Sequence, residues 1–264
     1  MIDSGKTALI TGASSGIGAE FAQALARLGM NLILVARSAD KLQALSQDLQ
    51  QHYGIQADSI SVDLSREHSG RYVYEEVQQR HLSVDMLINN AGFSTHGNFE
   101  TIPADRDHQQ IMLNTVSLVD LTHAFIPNML SKGEGTIINI GSTTSFYPLP
   151  YQAVYGATKA FVLSFSEALW AEYQGKGIKV LAICPGATET AFFDAMGSHL
   201  TTHKHSPQEV VRIGLSALTQ NRHYVVPGFR NTFESNILPR FLPRDVMARL
   251  VSRISQKIFS PASP

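Results

Sequence analysis

Short apolar segments alternate with longer segments of helical periodicity along most of this chain. Most of the short segments are apolar on both faces, which is typical of strands that helices cover on two sides. Repeated strand–helix–strand units of this kind predict right-handed crossovers and an α/β fold with one doubly wound parallel sheet of about seven strands. The predicted strands are residues 7–11, 31–36, 59–63, 85–89, 136–140, 180–184 and 224–226.

The composition favours one globular domain. The chain has 264 residues, of which 44% are hydrophobic and 16% are charged, a balance that excludes a disordered chain. At about 150 residues per domain it could hold one domain or two. Because no linker, low-complexity run or repeat divides it, we expect a single domain over residues 1–264.

Charge and cysteine content restrict the partners and the compartment. The 21 basic and 22 acidic residues give a net charge of -1, which argues against binding to nucleic acid. One cysteine leaves no internal disulfide, which fits a reducing compartment. No stretch approaches the ~18 apolar residues of a membrane span, and the strand that begins at Thr7 leaves no room for a signal peptide. We therefore expect a cytoplasmic protein.

A glycine-rich turn, TGASSGIG at residues 11–18, joins the first predicted strand to the first predicted helix. Gly12 and Gly16 would permit a tight turn, and the helix N-terminus would offer free N–H groups to a pyrophosphate. Gly18 would let the helix pack close to the strand. The spacing differs from the common dinucleotide fingerprint, so an ordinary glycine turn remains an alternative.

The same turn also matches a nucleophile elbow of the form Gly-x-Ser-x-Gly, with Ser14 at its centre. A hydrolase needs an upstream loop for its oxyanion hole, and only about ten residues precede the turn. A serine hydrolase is therefore the less favoured hypothesis.

Arg37 follows the second predicted strand, where an acidic residue would bind a free ribose 2′-hydroxyl. A guanidinium instead suits a 2′-phosphate through charge-assisted bonds, so NADP(H) is favoured and NAD(H) is the alternative. Arg37 could also be no more than a solvated start to the next helix.

Tyr155 and Lys159 begin a long predicted helix, residues 155–173. Residues at i and i+4 share a helix face, so the phenol and the ammonium should point into one site. A nearby cation favours phenolate and lowers the pKa of a tyrosine, as a proton donor and acceptor requires. Ser142, at the end of the fifth predicted strand, could hold a carbonyl oxygen beside the phenol.

Together these motifs resemble the short-chain dehydrogenase/reductase family, NAD(P)-dependent oxidoreductases with one Rossmann-like domain. The resemblance covers nearly all of residues 5–190. The matching positions, in family order, are TGASSGIG at 11–18, Asp63, NNAG at 89–92, Asn114, Ser142, Tyr155, Lys159, Pro185, Gly186 and Thr190.

The resemblance implies a catalytic tetrad of Asn114, Ser142, Tyr155 and Lys159. Tyr155 would protonate a carbonyl oxygen in reduction and deprotonate an alcohol in oxidation. Ser142 would orient that oxygen, and Lys159 would bond the nicotinamide ribose and lower the pKa of Tyr155. Asn114 would hold a water that links Lys159 to bulk solvent.

The resemblance also implies the cofactor contacts. Asp63 would meet the adenine, and Thr190 would hold the carboxamide. Ser15 stands where many NADP-specific members have a basic residue, which weakens the NADP(H) preference. The predicted cofactor-binding residues are Gly12, Ser14, Ser15, Gly16, Ile17, Gly18, Arg37, Asp63, Asn90, Ala91, Gly92, Tyr155, Lys159, Pro185, Gly186 and Thr190.

In this fold, residues 187–206 should form a lid over the substrate. Five aromatic residues predict an apolar pocket and hence a hydrophobic ketone, aldehyde or acyl-type substrate, although plain core packing is the alternative. They are Phe93, Phe146, Tyr147, Phe192 and Phe193. The histidines of the lid, at 199, 203 and 205, are interpreted as solvated residues, and no metal site is expected.

Residues 228–264 are predicted to form a helical tail. Within it, residues 244–258 place apolar side chains at helical spacing and basic ones on the other side. We expect this helix to dock on the chain's own core or on a sister subunit, and contact with a membrane surface is the less favoured alternative. The resemblance implies a homodimer or homotetramer.

The hypothesis that follows is an NADP(H)-dependent oxidoreductase that transfers a hydride between the nicotinamide and an apolar small-molecule carbonyl or alcohol substrate, with Tyr155 as general acid and base. The alternative is a non-catalytic dinucleotide sensor or scaffold on the same fold. A binding-only protein would not need both Tyr155 and Lys159, which argues against that alternative.

Overall fold

The seven strands of the computed structural model form one parallel sheet in the order β3-β2-β1-β4-β5-β6-β7. The structure describes residues 3–190, Phe192 and residues 204–259. The fold class predicted from the sequence is confirmed. The strands are β1 Thr7–Thr11, β2 Asn31–Ala36, β3 Ala57–Ser61, β4 Met86–Asn89, β5 Gly135–Ile140, β6 Ile178–Ile183 and β7 Tyr224–Val225.

Helices connect these strands and cover both faces of the sheet. Two π-helical stretches, Met112–Val116 and Phe233–Ile237, interrupt the regular helices, and 3₁₀ turns occupy Phe99–Thr101, Thr143–Phe146 and Leu238–Arg240. The α-helices are α1 Gly16–Arg27, α2 Ala39–Tyr53, α3 Ser69–Gln79, α4 Ala104–Ile111, α5 Ser117–Lys132, α6 Ala153–Glu172, α7 Pro207–Thr219, α8 Phe229–Thr232 and α9 Arg244–Phe259.

Strand β1 shows why the strand sequences are apolar on both faces. Ala8 and Ile10 belong to the core cluster that packs against α1, α2 and α7. Leu9, between them, belongs to the cluster on the opposite face, against α3 and α5. Each face of the sheet therefore has its own buried layer, as expected for a doubly wound sheet.

Strand β3 is the one that differs most from its predicted bounds, which were residues 59–63. It pairs with β2 from Leu32 opposite Ala57 to Ala36 opposite Ser61. The strand lies at the edge of the sheet, where polar side chains are tolerated. Its first residues are therefore not a run of apolar residues, which is the pattern used to predict the strands. Asp63 lies beyond it and accepts hydrogen bonds from the backbone and hydroxyl of Ser65.

The strand order reverses between β1 and β4. On one side of this point the chain winds towards β3, and on the other towards β7. The loops after β1 and β4 therefore leave the sheet in opposite directions and open a crevice at its carboxyl edge, where doubly wound sheets bind ligands.

The described residues after β7 are mainly helical, from α8 to α9. Helix α9 buries Met247 and Val251, while Val246, Leu250 and Ile254 are exposed. Of the residues that the structure describes, none belongs to a helix long and apolar enough to cross a membrane.

Candidate active site

The crevice is built on a hydrogen-bonded link between the loops that follow β1 and β4. The Thr11 hydroxyl oxygen accepts hydrogen bonds from the backbone N–H groups of Asn90 (2.9 Å) and Ala91 (3.0 Å). The Asn90 side-chain amide donates to the carbonyl oxygens of Thr11 and Gly12. The predicted phosphate turn and the NNAG segment are therefore joined by hydrogen bonds and lie side by side at the base of the crevice. Thr11 belongs to the TGASSGIG motif, but the sequence did not predict that its side chain holds the two loops together.

The glycines of the turn are required by close backbone contacts. Gly12 has a φ of +65°, and a Cβ there would lie 2.8 Å from Asn90 Nδ2 and 2.9 Å from Ala91 Cα. A Cβ on Gly18 would overlap the Gly12 carbonyl oxygen, and one on Gly16 would lie 2.8 Å from Thr190 Cγ2. The turn thus approaches both NNAG and Thr190, as the cofactor prediction requires.

The start of α1 fits the pyrophosphate of a dinucleotide. Its N-cap residue, Ser15, makes no side-chain capping bond, and the first turn contains no acidic residue. The N–H groups of this turn are therefore open to an anion, which the helix dipole also favours. Together with the close-fitting glycines, this arrangement is suited to a nicotinamide dinucleotide.

Arg37 and Asp63 lie near each other at the ends of β2 and β3. Partial burial raises the pKa of Asp63, but hydrogen bonds from Ser65 and the charges of Arg37 and Arg66 outweigh it and hold the pKa below its usual value. Arg37 is exposed and forms no ion pair with any described residue. Its charge is therefore available to an anionic ligand, as the NADP(H) hypothesis requires.

The predicted proton-transfer pair lies on the buried face of α6. Tyr155 is 9% exposed and Lys159 is 5% exposed, and Lys159 Nζ lies 5.8 Å from the centre of the Tyr155 ring. Lys159 Nζ donates a hydrogen bond of 2.7 Å to the carbonyl oxygen of Ile140, the last residue of β5. The helix thus brings both groups to the carboxyl end of the sheet, where Ser142 forms a hydrogen bond with Tyr155.

Ser142 is fixed by a capping box at the start of the 3₁₀ turn. Its hydroxyl accepts a hydrogen bond from the Thr144 N–H, and its own N–H donates to Ser145 Oγ. The Ser145 hydroxyl also donates to the Lys159 carbonyl oxygen. Ser145 therefore joins two members of the predicted tetrad, although the sequence analysis did not select it.

Asn114 lies in the π-helical stretch between α4 and α5. Its amide nitrogen donates to the Phe93 carbonyl oxygen (3.0 Å) and to Thr158 Oγ1 (3.2 Å), and its oxygen accepts from the Phe93 N–H (3.1 Å). The adjacent Gly92 is close to both Asn114 and Lys159. Asn114 therefore holds the NNAG loop beside Lys159, while its predicted contact with a water stays a prediction.

The prediction that Lys159 lowers the pKa of Tyr155 is wrong for this structure. Burial raises the pKa of the Tyr155 phenol to about 12, and the hydrogen bond with Ser142 only partly opposes this. Burial also lowers the pKa of Lys159 to about 8. The reason is that the ammonium bonds Ile140 rather than the phenol, so the loss of hydration dominates both groups.

The predicted pocket aromatics fall into separate groups. Phe192 packs against Tyr155 with 5.7 Å between ring centres. Phe93 carries the Arg106 guanidinium 4.5 Å from its ring centre. Phe146 packs against Tyr224 and so contributes to the core, and Phe193 lies outside the described residues.

Tyr147 is a second buried phenol beside the first. Burial raises its pKa, a hydrogen bond with Thr143 opposes the shift, and the charge of Glu234 adds to it. After burial, an electrostatic interaction with Tyr147 also raises the pKa of Tyr155. The hydroxyls of Tyr147 and Tyr155 therefore share one region at the end of β5.

Neither the Ser14 turn nor the histidines of the predicted lid forms a second site among the described residues. Within the described ranges no histidine or carboxylate is hydrogen-bonded to Ser14, and no group of three metal-binding side chains occurs. His205 pairs with Glu209 at 2.7 Å. His199 and His203 lie outside the described residues, as does most of the predicted lid at 187–206.

Comparisons with known proteins agree with this geometry. A family model described as short chain dehydrogenase matches residues 6–200. The very-long-chain 3-oxoacyl-CoA reductase of Rattus norvegicus is 32% identical over 248 residues, which cover 90% of this chain and 77% of the relative.

Two solved structures are similar over nearly the whole chain. A short-chain dehydrogenase from Sphingobium yanoikuyae in complex with NADPH is 34% identical, with a TM-score of 0.82 and 98% of both chains covered. A bulky-bulky ketone specific alcohol dehydrogenase from Comamonas testosteroni is 32% identical, with a TM-score of 0.78, and covers 98% of this chain and 97% of its own.

Proposed function

Since this chain belongs to the short-chain dehydrogenase family, we propose that it is an NADPH-dependent reductase of bulky, apolar ketones. It is an oxidoreductase that acts on C=O and CH–OH groups with a nicotinamide dinucleotide. One observation supports both reduction as the direction of the reaction and Tyr155 as the proton donor. The Tyr155 phenol is buried, hydrogen-bonded with Ser142 and held one helical turn from Lys159.

Tyr155 is the proton donor in the reduction. With a pKa of about 12, the phenol is protonated throughout the neutral range, which is the state that a general acid must have before the reaction. Ser142 shares a hydrogen bond with this phenol, so a carbonyl oxygen that bonds both hydroxyls is oriented and polarised. When bound, the reduced dinucleotide supplies the hydride that the carbonyl carbon accepts.

Lys159 stabilises the phenolate that remains after the proton has left. With its pKa at about 8, the ammonium is mostly charged at neutral pH, and at 5.8 Å from the ring centre it stabilises the anion electrostatically. Because Lys159 also bonds Ile140, its position is set by the sheet. This differs from a role in which Lys159 lowers the pKa of Tyr155 before substrate binds.

The preference for NADPH over NADH is proposed on the charge of Arg37. This side chain is exposed beyond β2, forms no ion pair with a described residue, and influences Asp63 electrostatically. A guanidinium in this position suits a 2′-phosphate. The NADPH complex of the similar Sphingobium protein supports the same preference.

The substrate class is proposed from the aromatic side chains beside the phenol. The Phe192 ring lies against the Tyr155 ring, so an apolar group on the carbonyl carbon would contact an aromatic side chain at the proton donor. The names of two similar proteins, a very-long-chain 3-oxoacyl-CoA reductase and a bulky-bulky ketone specific alcohol dehydrogenase, point to substrates of that kind.

The test is to follow nicotinamide absorbance with NADPH and with NADH against a panel of carbonyl compounds. The panel contains aryl ketones with two large substituents, medium- and long-chain 3-oxoacyl thioesters, and small polar ketones and aldehydes. We expect turnover with NADPH on the bulky apolar members. Turnover confined to small polar carbonyls would contradict the substrate class, and dinucleotide binding without any turnover would favour a sensor.

A further inference from the structure

The C-terminal helical segment, residues 229–259, exposes several large apolar side chains to solvent. The exposed side chains recur every four residues within 229–241 and again within α9, and Phe229 and Phe241 are 85% and 79% exposed. Soluble proteins rarely expose large side chains together in this way without a partner. We call this set the C-terminal apolar face: Phe229, Phe233, Ile237, Phe241, Val246, Leu250 and Ile254.

The exposed apolar side chains of α9 are not the ones that pack against the protein, because the helix has a separate buried side. Helix α9 already buries Met247 and Val251. Val246, Leu250 and Ile254, spaced four residues apart, form a second stripe beside the buried one. Because this helix has both an inner apolar contact and an outer apolar stripe, the outer stripe is available for an additional partner.

The same segment is strongly basic. Residues 229–259 contain two acidic residues, Glu234 and Asp245, so their net charge is +4 in a chain whose total charge is -1. Arg230 pairs with Glu234 and Arg249 pairs with Asp245. The remaining basic residues are Arg240, Arg244, Arg253 and Lys257, and the three arginines among them form no ion pair with a described residue.

The segment also borders the active site. Its π-helical stretch, Phe233–Ile237, packs against the 3₁₀ turn Thr143–Phe146 that follows Ser142. Farther along, Gln256 of α9 is hydrogen-bonded with the hydroxyl of Tyr151, in the loop before α6. The C-terminal segment therefore contacts both the turn that follows Ser142 and the loop that precedes the helix of Tyr155.

We propose that the C-terminal apolar face docks on the surface of an anionic lipid bilayer. Large apolar side chains flanked by arginines are the pattern of interfacial membrane binding, in which the apolar groups enter the headgroup region and the cations meet anionic lipids. Because the segment contacts the turn that follows Ser142, membrane binding would bring the active site close to the bilayer. An apolar substrate dissolved in the bilayer would then be delivered close to Tyr155.

The charge favours a lipid surface over a second copy of the chain. A twofold dimer formed through this face would place the same patch of both copies together. Two segments of net charge +4 would then lie opposite each other and repel. An anionic bilayer instead complements both the apolar and the charged groups of the face.

The test is co-sedimentation of the full chain with lipid vesicles in the absence of any substrate. One set of vesicles contains phosphatidylcholine alone, and the other an equal mixture of phosphatidylcholine and phosphatidylglycerol. We expect binding to the mixed vesicles that weakens as salt is added. Binding to neither set would overturn the proposal, and this outcome is independent of whether the reductase activity is found.

Matched variants locate the contact. Leu250→Ser should reduce vesicle binding about tenfold, whereas Leu28→Ser, which alters a similarly exposed leucine at the end of α1, should not. Arg244→Gln with Arg253→Gln should reduce binding about fivefold for each charge. The control pair, Arg27→Gln with Lys41→Gln, makes the same change in net charge on the exposed ends of α1 and α2 and should have little effect.

Two outcomes would overturn the proposal even if the protein binds vesicles. The first is equal loss of binding in the test and control variants, because the contact would then be a general charge effect. The second is a halved molar mass of Leu250→Ser in light scattering without a change in vesicle binding, because the face would then join two copies of the chain. Reduction of a water-soluble ketone by Leu250→Ser should remain at the wild-type rate.

Discussion

The Ser145 hydroxyl donates a hydrogen bond of 2.8 Å to the backbone carbonyl oxygen of Lys159. The Ser145 hydroxyl oxygen in turn accepts a hydrogen bond of 3.2 Å from the Ser142 N–H. One side chain thus connects the turn after β5 to the first turns of α6, and these two segments carry the hydroxyl groups that meet at the candidate site. Ser145 acts on the reaction through its neighbours and is a positioning residue.

Ser145→Ala should lower kcat about tenfold and leave the affinity for NADPH unchanged. The Ser142 N–H and the Lys159 carbonyl would both lose a buried partner, which costs about 1–3 kcal/mol of unfolding free energy. Steady-state kinetics and urea unfolding measure the two effects separately. Ser145→Thr, which keeps the hydroxyl, should recover most of kcat. A loss of stability without a change in kcat would show that the role is only structural.

Tyr155→Phe should lower kcat by about 10²–10⁴-fold, the usual contribution of a positioned general acid. The phenyl ring keeps its packing against Phe192, so NADPH affinity, measured by fluorescence titration, should change little. Tyr72→Phe, on the exposed face of α3, is the matched control and should be fully active. A Tyr155→Phe enzyme within threefold of the wild-type rate would exclude the proposed proton donor.

The sequence was sufficient to predict the sheet because each strand is buried on both faces and each crossover carries its own helical pattern. Tyr155, Ser142 and Arg37 could be selected because few side chains supply a phenol, a hydroxyl and a guanidinium at those points of the fold. The structure places all three at the carboxyl edge of the sheet.

The supporting contacts could not be predicted in the same way. Thr11 holds Asn90 across 79 positions of sequence, and Ser145 holds Lys159 across 14. Serine and threonine are common, and their partners are decided by how the loops approach one another in space. The raised pKa of Tyr155 was missed for a related reason, since burial and the contact of Lys159 with Ile140 are tertiary properties.

The two directions of the reaction should depend differently on pH. Because the pKa of Tyr155 is raised to about 12, the protonated phenol that reduction needs persists across the neutral range, and kcat/KM for the ketone should be flat from about pH 6 to 7. It should decline towards higher pH as Lys159, whose pKa is about 8, loses the charge that stabilises the phenolate. Alcohol oxidation needs the phenolate, so its kcat/KM should rise with pH over the same range. Initial rates in both directions measure this, and a reduction rate that falls between pH 6 and 7 would contradict it.

Lys159→Met should stabilise the protein while impairing the reaction. Burial lowers the pKa of Lys159 from 10.5 to about 8, so below pH 8 the folded state contains a charge that burial disfavours. The shift corresponds to about 3 kcal/mol, of which about 1 kcal/mol is offset because the Ile140 carbonyl loses its partner.

The pH dependence of this stability difference follows from the number of protons bound by the folded and the unfolded chain. Between pH 8 and 10.5 the unfolded wild-type chain holds a proton on Lys159 that the folded chain has released, so wild-type stability rises with pH in that window. The advantage of Lys159→Met should therefore be about 2 kcal/mol at pH 7 and disappear towards pH 10. Urea unfolding at these pH values measures it, and a variant less stable than wild type at pH 7 would contradict the lowered pKa.

Arg37→Gln should raise the KM for NADPH about tenfold or more and leave the KM for NADH nearly unchanged. The guanidinium is exposed beyond β2, and no described residue pairs with it, so its removal costs the protein little and takes away one charge-assisted contact to a 2′-phosphate. Lys41→Gln, on the first turns of α2, removes the same charge nearby and is the matched control. If both variants raised the KM for NADPH equally, the effect would be that of general positive charge at this end of the sheet. If neither did, the 2′-phosphate would have to be held elsewhere, and Arg37 would be the solvated start of α2 that the sequence also allowed.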